Sequence, residues 1–132
     1  MAKKKTDHLV FAEHFTLDQP DVEKMFTWGR RECLIKDRSG GIFFEMKNVQ
    51  APLGWSQLAV DIAASKYFRK KVKGTFKGED SIQQMVGRVV HAVSAAGLKQ
   101  GGIFADKAQA KVFANEFECI DHPLAMAMCT IE

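Results

Sequence analysis

The residues best suited to chemistry are the basic ones, which are concentrated in one run over positions 66–77. Lys and Arg at this density can neutralise phosphate groups, and the rings among them, Tyr67, Phe68 and Phe76, can stack on nucleobases. The structural alternative is a helix end and a loop whose rings pack inward and whose charges are solvated. The formal net charge of only +3 favours this alternative. The candidate contacts for a phosphate group or a partner are Lys66, Arg69, Lys70, Lys71 and Lys73.

The other reactive side chains form no motif of known chemistry. Three cysteines and four histidines are widely scattered, so the sequence predicts neither a disulfide framework nor a zinc site, and we expect reduced, mostly buried thiols. Phosphate-loop, nucleophile-turn and zinc-protease signatures are missing from the sequence. Stabilisation of a helix N-terminus explains the adjacent carboxylates Glu79 and Asp80. We therefore assign no catalytic, cofactor-binding or metal-ligating residue. Cys33, Cys119 and Cys129 are given none of these roles.

A β-hairpin is predicted over positions 27–46. Two short runs rich in strand-forming residues, 33–35 and 42–44, flank a cluster of turn residues at 37–41. Because a single hairpin is marginally stable alone, it must pack on another element. The helices that follow are the expected packing surface.

The first of these helices begins near Trp55, after a predicted chain break at 51–54. It is expected to end at Arg69–Lys71, where positive charge suits a helix C-terminus. Its inward face follows the helical spacing of apolar residues. That face is Trp55, Leu58, Ala59, Ile62, Ala63 and Tyr67.

Two further helices carry capping signals. The first opens at Asp80-Ser81, where either Ser81 with Gln84 or Asp80 with Gln83 fits a capping box. It has an apolar stripe that includes Val89 and Val93, and it is expected to stop at Gly97. The next starts at Asp106, again with a glutamine three residues later, and Pro123 is expected to end it. Trp28, Trp55 and Tyr67 are the predicted core anchors.

These elements predict an α+β domain that is mainly α, with a small N-terminal β-hairpin packed on about three amphipathic helices. At 132 residues, 46% of them hydrophobic, the chain is sized for one domain. Residues 1–26 form a basic tail and a short N-terminal segment, 27–120 the domain, and 121–132 a divergent tail. No apolar run approaches a membrane span and no signal-peptide core follows the N-terminus, so we expect a cytoplasmic protein without membrane contact.

One segment of the chain resembles a known family. Val49, Pro52, the run Trp55-Ser56-Gln57, Ala59 and Asp61-Ile62 lead into Lys66-Tyr67-Phe68-Arg69-Lys70. This pattern is similar to the N-terminal region of adenosylcobalamin-dependent (class II) ribonucleotide reductases. The resemblance extends over roughly residues 27–118, with the hairpin upstream of the motif and two helices downstream.

The resemblance implies a non-catalytic part of a large enzyme. In that family a cysteine thiyl radical, generated from adenosylcobalamin, reduces ribonucleotides to deoxyribonucleotides. The catalytic cysteines and substrate-phosphate loops lie in a ten-stranded α/β barrel that begins after this region, and this chain does not contain it. The resemblance therefore implies no turnover by this chain alone, no cofactor bound by it, and a reductase barrel domain or subunit as its partner.

Two alternatives accompany this interpretation. The chain can be a stand-alone protein-binding or regulatory module, with residues 124–131 as a docking segment for a partner or for a second copy. A nucleotide or nucleic-acid binder acting through positions 66–77 is the least favoured alternative, and its binding would weaken steeply as salt rises.

Overall fold

The computed structural model describes residues 8–17 and 21–131, and of residues 23 and 123–131 the backbone alone. This part of the chain forms a 3-10 turn at Val22–Met25, a two-stranded antiparallel sheet and three α-helices, α1 to α3. The predicted fold class, a small hairpin packed on about three helices, is confirmed. The strands are β1 (Trp28–Lys36) and β2 (Ile42–Pro52), and the helices are α1 (Gln57–Ile62), α2 (Ile82–Gln100) and α3 (Lys107–Ile131).

The hairpin is longer than the sequence predicts. Strand β2 continues past position 46 because its last residues pair with the start of β1, and Trp28 lies opposite Pro52. The predicted chain break at 51–54 is therefore wrong in its first half. A proline is tolerated in β2 because both strands of a two-stranded sheet are edge strands. At the turn, Asp37 Oδ1 accepts hydrogen bonds from the N–H groups of Ser39 and Gly41, both at 2.9 Å.

Helix α1 begins later and ends earlier than expected. Ser56 is its N-cap and accepts a hydrogen bond from the N–H of Ala59 at 3.1 Å, so the helix starts after Trp55. At Ala63–Tyr67 the chain takes π-helical geometry, and Phe68 is extended with ψ 133°. The predicted end at Arg69–Lys71 is wrong, because these residues start the loop that follows.

Helix α2 passes through its predicted stop. Ser81 caps it as expected and accepts from the N–H of Gln83 at 3.1 Å. The helix continues through Gly97 to a C-cap at Gly101, whose φ of 74° suits glycine. Gly97 has a packing role instead, since a Cβ there would lie 2.7 Å from Cε2 of the Phe104 ring.

Helix α3 also passes through a predicted stop. Asp106 Oδ1 accepts from the N–H of Gln109 at 2.9 Å, as the capping signal predicts. The backbone then remains helical through Pro123 to Ile131. A proline inside a helix removes one hydrogen bond and crowds the preceding turn, which weakens the helix without always ending it. The expected end at Pro123 is therefore wrong, and the backbone of the predicted tail continues the helix.

The core lies between the hairpin, α1 and α2. Trp55 is buried, and Trp28 and Tyr67 are half-buried against the core. Leu58 was expected inside but is 56% exposed, because Trp55 lies before the helix and the buried face of α1 is formed by Ala59, Val60 and Ile62. Val89 and Val93 are also partly exposed, at 38 and 44%. The buried core residues are Cys33, Val49, Ala51, Trp55, Ala59, Val60, Ile62, Ala63, Ala64, Phe68, Ile82, Met85, Val86 and Val90.

The segment 8–17 lies along the α2–α3 connection and helix α3. The N–H of Leu9 donates to the carbonyl of Ile103 at 3.0 Å, and the Phe11 ring packs against Phe104 and Phe113. Residues 1–7 of the predicted basic tail lie outside the described residues. Within residues 8–17 and 21–131, no helix combines the length and the apolar character that a membrane span needs.

Candidate functional site

Four of the five basic residues predicted as contacts, Arg69, Lys70, Lys71 and Lys73, lie within one closed loop, and Lys66 lies in the π-helical segment before it. We call residues 69–79 the basic loop. At its base the N–H of Glu79 donates to the carbonyl of Arg69 at 3.0 Å, and the N–H of Arg69 donates to Glu79 Oε2 at 2.9 Å. Inside it, Val72 and Phe76 exchange two backbone hydrogen bonds at 2.9 and 3.0 Å. The loop thus has a defined shape and close ends, a construction found often at functional sites.

A buried ion pair anchors the basic loop to α2. Glu79 is only 6% exposed, and its Oε1 accepts a hydrogen bond from Nε of Arg88 at 2.8 Å. Nη2 of Arg88 also donates to the carbonyl of Tyr67 at 3.0 Å. Burial alone would raise the pKa of the Glu79 carboxyl, but the hydrogen bonds from Arg88 and from the N–H of Arg69 outweigh it and hold the pKa below its usual value. The sequence interpretation of Glu79 as helix-end charge is wrong.

The predicted contact residues are all exposed, but they have different surroundings. Lys70 Nζ donates to the carbonyl of Ser65 at 3.0 Å and lies 4.8 Å above the centre of the Phe44 ring, which links the basic loop to the hairpin. Arg69, Lys70 and Lys71 line a pocket of about 340 Å³. Lys77, the last residue of the basic run and not one of the five predicted contacts, also lines this pocket. Lys66 and Lys73 do not line this pocket.

The residues that carry the family pattern are structural. Arg31 Nη1 in β1 donates to the carbonyl of Trp55 at 2.6 Å, just before the Ser56 cap. The Gln57 side-chain amide donates to the Glu32 carbonyl at 3.0 Å and to Asp61 Oδ1 at 2.8 Å. The pattern therefore connects the hairpin to α1.

The described cysteines are poorly suited to thiolate chemistry. Cys33 is fully buried, and burial, with the neighbouring Asp61 carboxylate, raises the pKa of its thiol to about 12. Cys119 is partly buried, and burial raises the pKa of its thiol too. The side chain of Cys129 lies outside the described part.

The described residues bring no metal-ligating cluster together. They contain no group of three or more His, Cys, Asp or Glu side chains that could hold a metal ion. His122, the fully buried histidine, is packed against the rings of Phe26 and Trp28, with centroids 4.6 and 5.7 Å away, so no large cofactor can reach its nitrogens. That this chain binds no cofactor stays a prediction.

The distal part of the hairpin exposes apolar side chains. Leu34, Ile42 and Phe43, which we call the hairpin tip, are 46, 61 and 75% exposed. Leu34 pairs with Glu45 and Lys36 pairs with Ile42, so these residues lie at the same end of the sheet. Contiguous apolar patches of several hundred Å² mark surfaces that bind other proteins, so the hairpin tip is the candidate contact surface of the hairpin.

Comparison with known proteins gives the family. Residues 29–121 match the family model for class II vitamin B12-dependent ribonucleotide reductase. The chain belongs to this family. The resemblance predicted from the 49–70 pattern is thereby confirmed, and the matched residues 29–121 nearly coincide with the expected range of roughly 27–118.

Curated relatives extend far beyond the matched region. The chain is 40% identical to a vitamin B12-dependent ribonucleotide reductase of Rhodopirellula baltica over 74 residues, which are 56% of this chain and 7% of that protein. It is 39% identical to the Streptomyces coelicolor reductase over 90 residues, which are 67% of this chain and 9% of that protein. The chain thus represents the N-terminal domain of such reductases and spans less than a tenth of their length.

Proposed function

We propose that this chain serves ribonucleotide reduction as a non-catalytic domain that docks on the catalytic part of a class II reductase. The observation that carries the proposal is the family match over residues 29–121, which coincides with a fold whose pattern residues make structural contacts. The substrate is then a ribonucleotide, the product a deoxyribonucleotide for DNA synthesis, and adenosylcobalamin acts in the partner. The chain alone carries no turnover, and its compartment is the cytoplasm.

The hairpin tip supports docking. Leu34, Ile42 and Phe43 lie outside the core of this domain, and burying them against the remainder of the reductase would remove apolar surface from water. The relatives supply that remainder in one polypeptide, since more than nine tenths of each lies outside the matched region. We therefore assign the hairpin tip to the contact with the catalytic part.

A reductase assay tests this function. The chain is incubated with adenosylcobalamin, a dithiol reductant and ribonucleotides, first alone and then with a barrel-containing reductase subunit from the same source. Activity in the mixture above that of the subunit alone supports the proposal, whereas turnover by the chain alone would refute it. If the mixture gains nothing, the docking role fails.

The exposed hairpin tip also favours a second function, a stand-alone protein-binding module, including self-association. Size-exclusion chromatography with light scattering separates the two. A dimer of the isolated chain, with no stimulation of the reductase subunit, supports the second function. A monomer that co-elutes with the reductase subunit supports the first.

A further inference from the structure

The pocket beside the basic loop is preformed. Its walls come from Arg69–Lys71, from Lys77–Asp80, from Met46 of β2 and from Gln84 of α2. Hydrogen bonds between Arg69 and Glu79 close the loop, and the Glu79–Arg88 pair attaches it to α2. A ligand entering this pocket would therefore not need to order the loop, which removes a common entropic penalty of binding.

The charge around the pocket is strongly positive. Arg69, Lys70, Lys71 and Lys77 supply four cationic side chains. Of the two carboxylates that line it, Glu79 is already neutralised by Arg88, so Asp80 alone offsets the cations. Among the described residues, no ion pair engages Lys71 or Lys77, which leaves both ammonium groups available to an anion.

The shape of the pocket favours a compact anion over an extended chain. Its volume of about 340 Å³ lies at the lower end of the usual range for small-ligand pockets. Single-stranded nucleic acids are bound on rows of exposed rings. Here Phe68 is buried, Tyr67 is half-buried and Phe76 is 39% exposed, so the basic loop lacks such a row.

We propose that this pocket binds a multiply charged phosphoryl anion, either the phosphate chain of a nucleoside triphosphate or inorganic triphosphate. Lys71 and Lys77 contact the phosphoryl oxygens, and Arg69 adds a planar guanidinium that can donate two parallel hydrogen bonds. Lys70 contributes its charge while it remains bound to the Ser65 carbonyl. This site is independent of docking on a reductase, so either proposal can fail without the other.

Isothermal titration of the full chain with sodium triphosphate, and separately with ATP, tests the site at low salt. We expect binding that weakens as salt is raised, and at least a tenfold loss in Lys71→Ala/Lys77→Ala. The matched control is Lys99→Ala/Lys107→Ala, which removes the same charge from exposed lysines outside the pocket and should bind within twofold of the wild type. Lys71→Arg/Lys77→Arg should retain binding.

The outcomes separate the possible ligands. Equal affinity for triphosphate and ATP means that the phosphate chain alone is recognised, and tighter binding of ATP means that the nucleoside also contributes. No binding of either probe at low salt overturns the proposal, as does an equal loss in both double variants. An oligothymidylate that binds at least tenfold tighter than triphosphate under the same conditions would also overturn it, in favour of an extended nucleic-acid surface.

Discussion

Arg88 Nε lies 2.8 Å from Oε1 of Glu79, and this contact joins helix α2 to the base of the basic loop. Oε2 of the same carboxylate accepts a hydrogen bond from the N–H of Arg69. One nearly buried charge therefore holds together the two ends of the basic loop. Removing either partner leaves a charge without compensation in a place that water reaches poorly. The shape of the pocket beside the basic loop depends on this pair, because Glu79 lines that pocket and closes the loop.

Replacing Arg88 by methionine should destabilise the domain by about 3 kcal/mol, because breaking a buried pair leaves one charge uncompensated. Urea unfolding at pH 7 measures the change in the free energy of unfolding. Lys99→Met is the matched control, since it removes an exposed cation from the same helix and should cost no more than about 0.5 kcal/mol. A loss below about 0.5 kcal/mol in Arg88→Met would show that the pair contributes little.

Glu116 should hold the N-terminal segment, residues 8–17, against helix α3. Its carboxylate accepts the backbone N–H groups of His14, Phe15 and Thr16 at 3.0, 2.9 and 3.1 Å. Glu116→Ala leaves these donors without their acceptor and should cost about 2 kcal/mol, with faster hydrogen exchange at positions 14–16. Glu13→Ala, an exposed glutamate in the same segment, is the control and should change neither quantity.

The pH dependence of this contact has a definite sign. Burial alone would raise the pKa of Glu116, but hydrogen bonds from the Thr16 hydroxyl and the three N–H groups lower it from 4.5 to about 2. A carboxyl whose pKa is lower in the folded chain contributes its full stabilisation at pH values above its pKa in the unfolded chain. That stabilisation is lost as the pH falls toward its pKa in the folded chain. The stability difference between wild type and Glu116→Ala should therefore shrink between about pH 4.5 and pH 2. A constant difference over that range would contradict the assignment.

The fold class follows from local sequence signals, whereas the candidate site depends on contacts distant in sequence. Ser81 and Asp106 act as caps because a capping oxygen needs only an N–H group two or three residues away. Such signals can be recognised from the sequence alone. The role of Gly97 depends on Phe104, which reaches it only after the chain turns back. A helical-wheel analysis cannot show that contact, so glycine in that position is mistaken for a helix stop.

The basic run shows the same limit. Its exposure is predictable from composition, but the pocket depends on Glu79 returning to Arg69, a closure set by tertiary contacts. Lys77 therefore enters the site although it lies at the edge of the run. Phe68 is not part of the candidate site, because the chain at the end of the π-helical segment directs this ring into the core.

His122 should make the domain sensitive to mild acid. Burial lowers the pKa of its imidazole from 6.5 to about 4, and within the described residues neither ring nitrogen has a hydrogen-bond partner, with Glu118 Oε1 4.0 Å from Nε2. The unfolded chain binds the proton more readily than the folded chain does. The free energy of unfolding is therefore unaffected by this group above about pH 6.5 and falls as the pH drops to 4. The loss should reach about 3 kcal/mol.

Urea unfolding from pH 7 to pH 4 tests this titration. His122→Phe keeps a ring of similar shape between Phe26 and Trp28 and removes the titrating group, so the decline between pH 6.5 and 4.5 should become much shallower. The control is His91→Gln, which removes an exposed histidine from α2 and should leave the decline unchanged. An unchanged decline in His122→Phe would assign the acid sensitivity to other groups.

The hairpin tip should bind the catalytic part of the reductase without stabilising the isolated domain. Phe43 is 75% exposed, so Phe43→Asp should change the free energy of unfolding by no more than about 0.5 kcal/mol. At an interface the same change places a charge in an apolar contact, which should weaken binding to the barrel-containing subunit at least tenfold and abolish stimulation of its activity. Val10→Asp, at an 85% exposed valine in the N-terminal segment, is the matched control and should retain both. If Phe43→Asp still co-elutes with the subunit and stimulates it fully, the contact lies on another face of the domain, because a carboxylate buried without a partner could not leave that binding unchanged.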